Sequence, residues 1–345
     1  MNKIHIVNWL ITRKCNLTCD YCRLVKNYKT KPPEYPDMKY YFKNEMSLDT
    51  IIEGLRRLKL HNANAFHIIY GGEPLLRRDL FQIINYCNNN DIHYTIISNN
   101  TEKVQPLMKE LFNKVSFIKG FTASIDPIIF DKNKTSNDIF QKSISGITKL
   151  TEYSNIIKDV VAEITVSNEN LQFLYPLVKE LTNRGINSDI TFVDISKSPY
   201  YDFSDVEDDS ILVRKSPPLR DIINSIIDEK LNVHMRDSLL PKIYDILPSE
   251  YDCKLDEDFH TMCVDSDSTL RLCLRVKGVS TPASYSLLNI IDEDGKLDEN
   301  INQIISYDKR NYCRFCNHSC YLMGELLSCD KDSSDNLIHT KIRKS

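Results

Sequence analysis

Several things that would have fixed the setting of this 345-residue sequence are missing from it. No apolar run reaches the roughly 18–20 residues of a membrane span. The opening Met1-Asn2-Lys3-Ile4-His5 leads straight into a strand-like run, without the apolar stretch and small-residue cleavage site of a secretory leader. A cytoplasmic chain with no membrane partner is therefore expected. A basic surplus is missing too: 44 Lys and Arg stand against 48 Asp and Glu, for a net charge of −4. Broad nucleic-acid binding leaves a basic footprint, so nucleic acid is not an expected partner. The one short basic run, Lys341-Ile342-Arg343-Lys344, reads as a solvated tail. There is no internal repeat and no low-complexity tract.

Cysteine, by contrast, is abundant, with eleven residues. In a cytosolic setting they argue against a disulfide framework. Three lie near the N-terminus, seven lie between Cys253 and Cys329, and Cys87 is alone in a helical pattern where it reads as a packing residue. The N-terminal three form Cys15-Asn16-Leu17-Thr18-Cys19-Asp20-Tyr21-Cys22, a C-x3-C-x2-C run directly after the strand-like residues 5–12. Three thiolates on one tight loop can hold three irons of a cubane cluster and leave the fourth iron open to a substrate or cofactor. Zinc is the alternative, but zinc sites favour C-x2-C pairs and four ligands.

From residue 5 to about 196, strand-like and helix-like runs alternate. The strand-like runs are 5–12, 65–70, 92–98, 116–125, 159–166 and 189–196. Between them, Leu48, Ile51, Ile52, Leu55 and Leu58 share one helix face, as do Leu171, Leu174, Leu177, Val178 and Leu181. Repeated βα units imply a parallel sheet with right-handed crossovers. Six of them predict an α/β fold, a partial (β/α)6 TIM barrel, whose active groups sit at the C-terminal strand ends. The stretch from Leu24 to Asn44, with Pro32, Pro33, Pro36 and four tyrosines, is either a cover over the substrate or a solvent-facing insertion.

The cysteine run, with Tyr21 before its last member, resembles the core motif of the radical S-adenosylmethionine (radical SAM) enzymes. The resemblance implies that Cys15, Cys19 and Cys22 ligate a [4Fe-4S] cluster whose open iron is chelated by SAM. SAM would then be cleaved to a 5′-deoxyadenosyl radical that takes hydrogen from a substrate. It also implies a reductant such as flavodoxin or ferredoxin. Gly71-Gly72-Glu73-Pro74 after the second strand matches the family's motif whose backbone meets the SAM amino group, so SAM contacts are expected at Gly71, Gly72 and Glu73. Ser98-Asn99-Asn100-Thr101 stands where the family has a T-N-G-type turn, and puts Ser98 and Asn99 among the cofactor-binding candidates. Asn100 replaces the glycine there and tolerates the left-handed backbone the turn needs. Ser124 and Asp126, in a family-like S-I-D turn, and Asn170, at the end of the fifth strand, are further candidates. Ser124-Ile125-Asp126 reads equally well as a helix cap, and a helix cap is also the alternative for Ser167-Asn168-Glu169-Asn170. Glu163 lies within the fifth strand, and periodicity does not decide which way it points. No catalytic acid or base is assigned.

The C-terminal cysteines resemble the SPASM and shorter twitch appendages of the family, which hold auxiliary clusters. Four organisational units are expected: the barrel (1–210), a helical linker (211–250), a small cysteine-rich iron–sulfur domain (251–335) and a tail (336–345). One auxiliary [4Fe-4S] cluster would be held by Cys263, Cys273, Cys313 and Cys316, with Cys320, Cys253 and Cys329 as further ligand candidates and a second cluster or zinc as alternatives. The family's glycine five residues before Cys273 is Ser268 here, and Leu274 stands where sulfatase-maturing relatives carry an aspartate. Arg271 and Arg275 flank the cysteine and could bind a carboxylate or phosphate. The expected activity is hydrogen abstraction from an unactivated C–H bond, of a peptide or protein in the leading reading and of a sugar or cyclitol in the alternative. A non-catalytic iron–sulfur carrier or redox sensor is the reading of another class.

Overall fold

The computed structural model describes residues 4–17, 42–125, 136–192, 213, 216–234, 237, 240–241, 244, 261–271, 286–298 and 301. Cys19, Cys22, Asp126, Cys253, Cys273, Cys313, Cys316, Cys320 and Cys329 lie outside these residues, as does most of the 24–44 stretch.

Six strands alternate with helices as the sequence predicts. β1 (Ile6–Thr12), β2 (Phe66–Gly71), β3 (His93–Ser98), β4 (Phe121–Ser124), β5 (Val160–Val166) and β6 (Asn187–Phe192) pair in sequence order, each parallel to the next. Between them run α1 (Leu48–His61), α2 (Leu80–Asn89), α3 (Gln105–Lys114), α4 (Ser136–Thr151) and α5 (Leu174–Asn183), and α6 (Pro217–Asp228) follows β6. Single-turn 3-10 helices at Pro74–Leu76 and Leu171–Phe173 precede α2 and α5.

Local chemistry fixes these elements. Ser47 caps α1 by accepting from the Thr50 amide, and Ser216 caps α6 by accepting from Leu219, just before Pro217 at the first helical position. Ile51, Leu55 and Leu58 form the buried stripe of α1. At Gly54 a methyl group would come within 2.9 Å of the Trp9 ring and 2.4 Å of Leu287, so α1 lies directly on the Trp9 face of β1.

Strand alternation then puts Asn8 and Leu10 on the opposite, concave face. The register carries that face across the sheet. Asn8 pairs with Ile68, Ile68 with Thr95, Ile97 with Thr122, Ser124 with Glu163, and Glu163 with Asp189. Glu163 therefore stands on the concave face, which periodicity alone left undecided. A hydrogen bond of 3.1 Å between the hydroxyls of Thr95 and Thr122 follows the same face.

The sequence did not announce the other side of β1. There β7 (Thr261–Val264) pairs parallel with β1, with Cys263 opposite Asn8, and β8 (Leu270–Arg271) returns antiparallel. This hairpin, from the stretch expected to form an appended cysteine-rich domain, thus extends the barrel sheet to eight strands, in the order β6-β5-β4-β3-β2-β1-β7-β8. The next described segment also packs on the barrel: Arg57 Nη1 donates to the carbonyls of Leu288 and Ile291, beside the short α7 (Leu287–Ile290). No described helix is long and apolar enough to cross a membrane.

Candidate active site at the C-terminal strand ends

The cysteine loop leaves the end of β1, where the chain bulges between Leu10 and Thr12. Its first residues are tied down on every side. The amides of Gly72 and Glu73 donate to the carbonyls of Thr12 and Lys14, each at 2.8 Å. The Thr12 hydroxyl donates to Glu45 at 2.6 Å. Arg77, nearly buried, reaches the Ile11 and Met46 carbonyls at 2.8 Å with its two terminal nitrogens and pairs with Asp79 through Nε. Arg13 forms a buried two-point ion pair with Asp265 of the β7–β8 hairpin.

The paired glycines owe their identity to this crossing. A methyl group on Gly71 would sit 2.3 Å from the Thr12 carbonyl oxygen, and one on Gly72 would sit 2.3 Å from the Lys14 oxygen. The backbone of the cysteine loop itself occupies the space a side chain would need. The sequence reading expected these glycines to admit a ligand; the structure adds that they admit the loop that carries Cys15.

Glu73 is fully buried and joins the ends of β2 and β3. Its carboxylate accepts from the Leu75 amide at 3.0 Å, from the Ser98 hydroxyl at 3.0 and 3.1 Å, and from the Asn99 amide at 2.9 Å. Burial pushes its pKa up, while the amides of Asn99 and Leu75 and the Ser98 hydroxyl pull it down. Ser98 is itself buried, with its hydroxyl committed to Glu73. The turn that follows has Asn100 at φ +50°, the left-handed geometry expected of it.

Asn99 turns back to the cysteine loop. Its Nδ2 donates to Asn16 Oδ1 at 2.8 Å and lies 4.0 Å from Cys15 Sγ, while the Leu17 amide approaches the same sulfur at 3.4 Å. Asn16 and Thr101 were not candidates in the sequence, because each fills a variable place within a motif and only the fold brings the two together. Ser124 ends β4 on the concave face, in register with Glu163. Asn170 is buried and caps the end of β5, accepting from the Ser167 amide and donating to the Thr165 carbonyl. Cys263 is buried in β7, opposite Asn8.

The donors described at Cys15 suit a metal thiolate: the sulfur is partly exposed and is approached by the N–H groups of Leu17 and Asn99. Cys87 is the contrasting case, buried in α2 with its thiol pushed up to about 12 by desolvation, which makes it the inert packing residue expected. Among the described residues, no group of three or more His, Cys, Asp or Glu is gathered to hold a metal ion.

An open α/β sheet, parallel from β1 to β7, with a cysteine loop anchored after its first strand, is the arrangement of a partial TIM barrel. Residues 9–188, just over half of the chain, match the model of the radical SAM superfamily, and the chain belongs to that family. The family implies a [4Fe-4S] cluster and SAM. The chain is similar to a GTP 3′,8-cyclase of Campylobacter jejuni subsp. doylei, at 25% identity over 82% of this chain and 81% of that protein. It is also similar to an AdoMet-dependent heme synthase of Oleidesulfovibrio alaskensis, at 24% identity over 52% of this chain and 43% of the other. Among solved structures, Streptococcus suis SuiB bound to S-adenosylmethionine superposes with a TM-score of 0.58 at 15% identity, over 96% of this chain and 76% of that one. The enzyme anSMEcpe with bound AdoMet and a peptide gives 0.57 at 13% identity, over 99% of this chain and 100% of the other. At such identities the two structures establish the shared fold.

Proposed function

We propose that this radical SAM enzyme abstracts hydrogen from an unactivated C–H bond of a peptide or protein, as a peptide maturase. Cys15, Cys19 and Cys22 would hold the cluster. When bound, the cluster and SAM supply a hydrogen-abstracting radical, and the chain supplies position and exclusion of water. Gly71, Gly72 and Glu73 would meet the SAM amino group. The Gly72 and Glu73 amides are spent on the cysteine loop, which suits an amino group, since its N–H groups need carbonyl acceptors rather than further donors. Ser98 and Asn170, both buried, would shape the cofactor floor from behind; Asn99, Ser124 and Asp126 would border it.

The observation that carries the substrate class is the sign of charge on the concave face. Glu163 and Asp189 stand side by side there, with Ser124 next to them, and Asp189 is held by His234 Nδ1 at 2.9 Å. No Lys or Arg occupies a described concave position from β1 to β6. With His234 paired to Asp189, the described wall offers no surplus positive charge to anchor a polyphosphate, and it suits a neutral or cationic chain. The second reading, a small-molecule enzyme, is favoured by the similarity to a GTP 3′,8-cyclase over most of this chain.

The deciding experiment incubates the reconstituted protein anaerobically with SAM, dithionite and either candidate peptides or GTP, each deuterated. Deuterium transfer into 5′-deoxyadenosine from peptide supports the proposal. Transfer from GTP alone overturns it, and absence of 5′-deoxyadenosine altogether removes the enzymatic reading. Cys263, Cys273, Cys313 and Cys316 are proposed to hold one auxiliary cluster, with Cys320, Cys253 and Cys329 as alternates. About 8 Fe per chain would fit that count, and about 12 would mean two auxiliary clusters, at four irons per cubane.

A further inference from the structure

We infer that Asn99 is a positioning residue for the cluster: it sets the reduction potential through a fixed N–H dipole aimed at the Cys15 sulfur. The inference rests on the reading of Cys15 as a cluster ligand.

The orientation of the Asn99 amide is determined rather than arbitrary. Its Oδ1 accepts from the backbone amide of Thr101 at 3.2 Å. A backbone N–H can only donate, so the oxygen must be on that side and the NH2 group on the other. The NH2 group then faces Asn16 Oδ1 at 2.8 Å and Cys15 Sγ at 4.0 Å. The orientation propagates. Asn16 presents its own Nδ2 to Thr101 Oγ1 at 3.0 Å, and the Thr101 hydroxyl donates to Asn99 Oδ1 at 2.9 Å. Three side chains close a ring in which each donates and each accepts, and such rings reinforce themselves. Outside the ring, the Asn99 amide is held by the buried Glu73 carboxylate at 2.9 Å. Side chain and backbone of Asn99 are therefore both locked, one to the cysteine loop and the other to the strand ends beneath it.

Reduction of a cubane cluster adds one electron, and much of the added negative charge falls on its sulfurs. An N–H dipole pointed at a ligand sulfur favours the reduced form and raises the potential. The Leu17 amide, 3.4 Å from Cys15 Sγ, acts in the same sense but belongs to the loop itself. Asn99 is a donor that comes from elsewhere in the fold, just past the end of β3, and so it couples the loop's electronics to the barrel.

The test is a redox titration of the anaerobically reconstituted full chain without SAM. It follows the paramagnetic signal that a Cys15→Ala/Cys19→Ala/Cys22→Ala variant lacks. At the wild-type midpoint, Asn99→Ala should lower the ratio of reduced to oxidised cluster about tenfold, about 59 mV for one electron. Asn99→Asp keeps the shape and the acceptor for Thr101 but turns an oxygen toward the sulfur, so it should lower the ratio further at unchanged iron content. Thr101→Val opens the ring but leaves the Thr101 amide to orient Asn99, so its shift should be the smallest of the three. Loaded Asn99→Ala and Asn99→Asp proteins that titrate with the wild type would overturn the inference. If Asn99→Ala fails to load iron, Asn99→Asp alone decides in the same way. If the triple cysteine variant keeps every iron signal of the wild type, the assignment of Cys15 falls, and this inference with it.

Discussion

The guanidinium of Arg13 and the carboxylate of Asp265 meet in a buried two-point contact, Nε to Oδ1 at 3.2 Å and Nη2 to Oδ2 at 2.6 Å, across 252 residues of sequence. Both side chains are almost wholly shielded from water. Arg13 lies two residues before Cys15, and Asp265 two residues after Cys263. The pair therefore bolts the start of the cysteine loop to the hairpin that carries the first C-terminal cysteine of the predicted auxiliary site. Asp265 also accepts from the Ser266 amide, which fixes its carboxylate independently of Arg13.

Removal of one partner leaves a buried charge without its counter-ion. Asp265→Ala should therefore destabilise the fold by about 3–5 kcal/mol, read as a lowered denaturant midpoint, and should reduce iron uptake at the N-terminal loop. Unchanged stability with unchanged iron content would mean that the pair does not hold the loop.

His67 predicts an acid limb in stability. It accepts the Trp9 indole N–H at 2.9 Å through Nδ1, and burial, with His93 a lesser contributor, holds its pKa down at about 3 from an ordinary 6.5. The folded state thus keeps this histidine neutral while the unfolded chain protonates below about 6.5. Its contribution is present in full above that pH and is lost as the pH falls toward 3, by up to about 1.4 kcal/mol per pH unit. His67→Gln retains an acceptor for Trp9 without a titrating ring. Denaturation between pH 7 and 4.5 should show a flatter decline for the variant, and parallel declines would exclude His67 as the source.

Ser268 occupies the tip of the β7–β8 hairpin at φ +70°. The left-handed region costs a residue with a Cβ about 1 kcal/mol or more. Ser268→Gly should raise stability by about 0.5–1 kcal/mol, measured by thermal or chemical denaturation. A loss of stability would show that the serine side chain compensates its own strain.

What the sequence disclosed and what it hid divide along physical lines. The six βα units are written in local periodicity, since Leu48 to Leu58 or Ile190 to Phe192 need only near neighbours to declare a face. The inert burial of Cys87 was legible for the same reason, and the left-handed turn at Asn100 was legible through the family resemblance, since asparagine tolerates that backbone. The pairing of β7 with β1 was not, because a four-residue strand carries little pattern and its partner lies some 250 residues away. Arg13, Asp265 and Arg77 were hidden as well: charged residues read as surface until a partner found only in three dimensions explains their burial. The Gly71-Gly72 pair was recognised, but its immediate cause was not, since nothing local says that another stretch of backbone crosses there.

That crossing yields the sharpest prediction. The clash in Gly72→Ala is with the Lys14 carbonyl oxygen at 2.3 Å and its carbon at 2.7 Å, so backbone must move rather than the end of a side chain. The barrel core does not depend on Gly72, whereas the course of the chain between Thr12 and Cys15 does. Gly72→Ala should keep its far-UV spectrum and most of its stability, yet lose several-fold in iron bound at the N-terminal cysteines and in SAM cleavage. Gly71→Ala, facing the Thr12 oxygen at 2.3 Å, should behave alike but with a larger stability cost, because Thr12 still belongs to β1. Iron analysis and 5′-deoxyadenosine release measure both variants. If Gly72→Ala loads and cleaves as the wild type does, the loop does not need that close approach, and the glycine must be explained by its ligand instead.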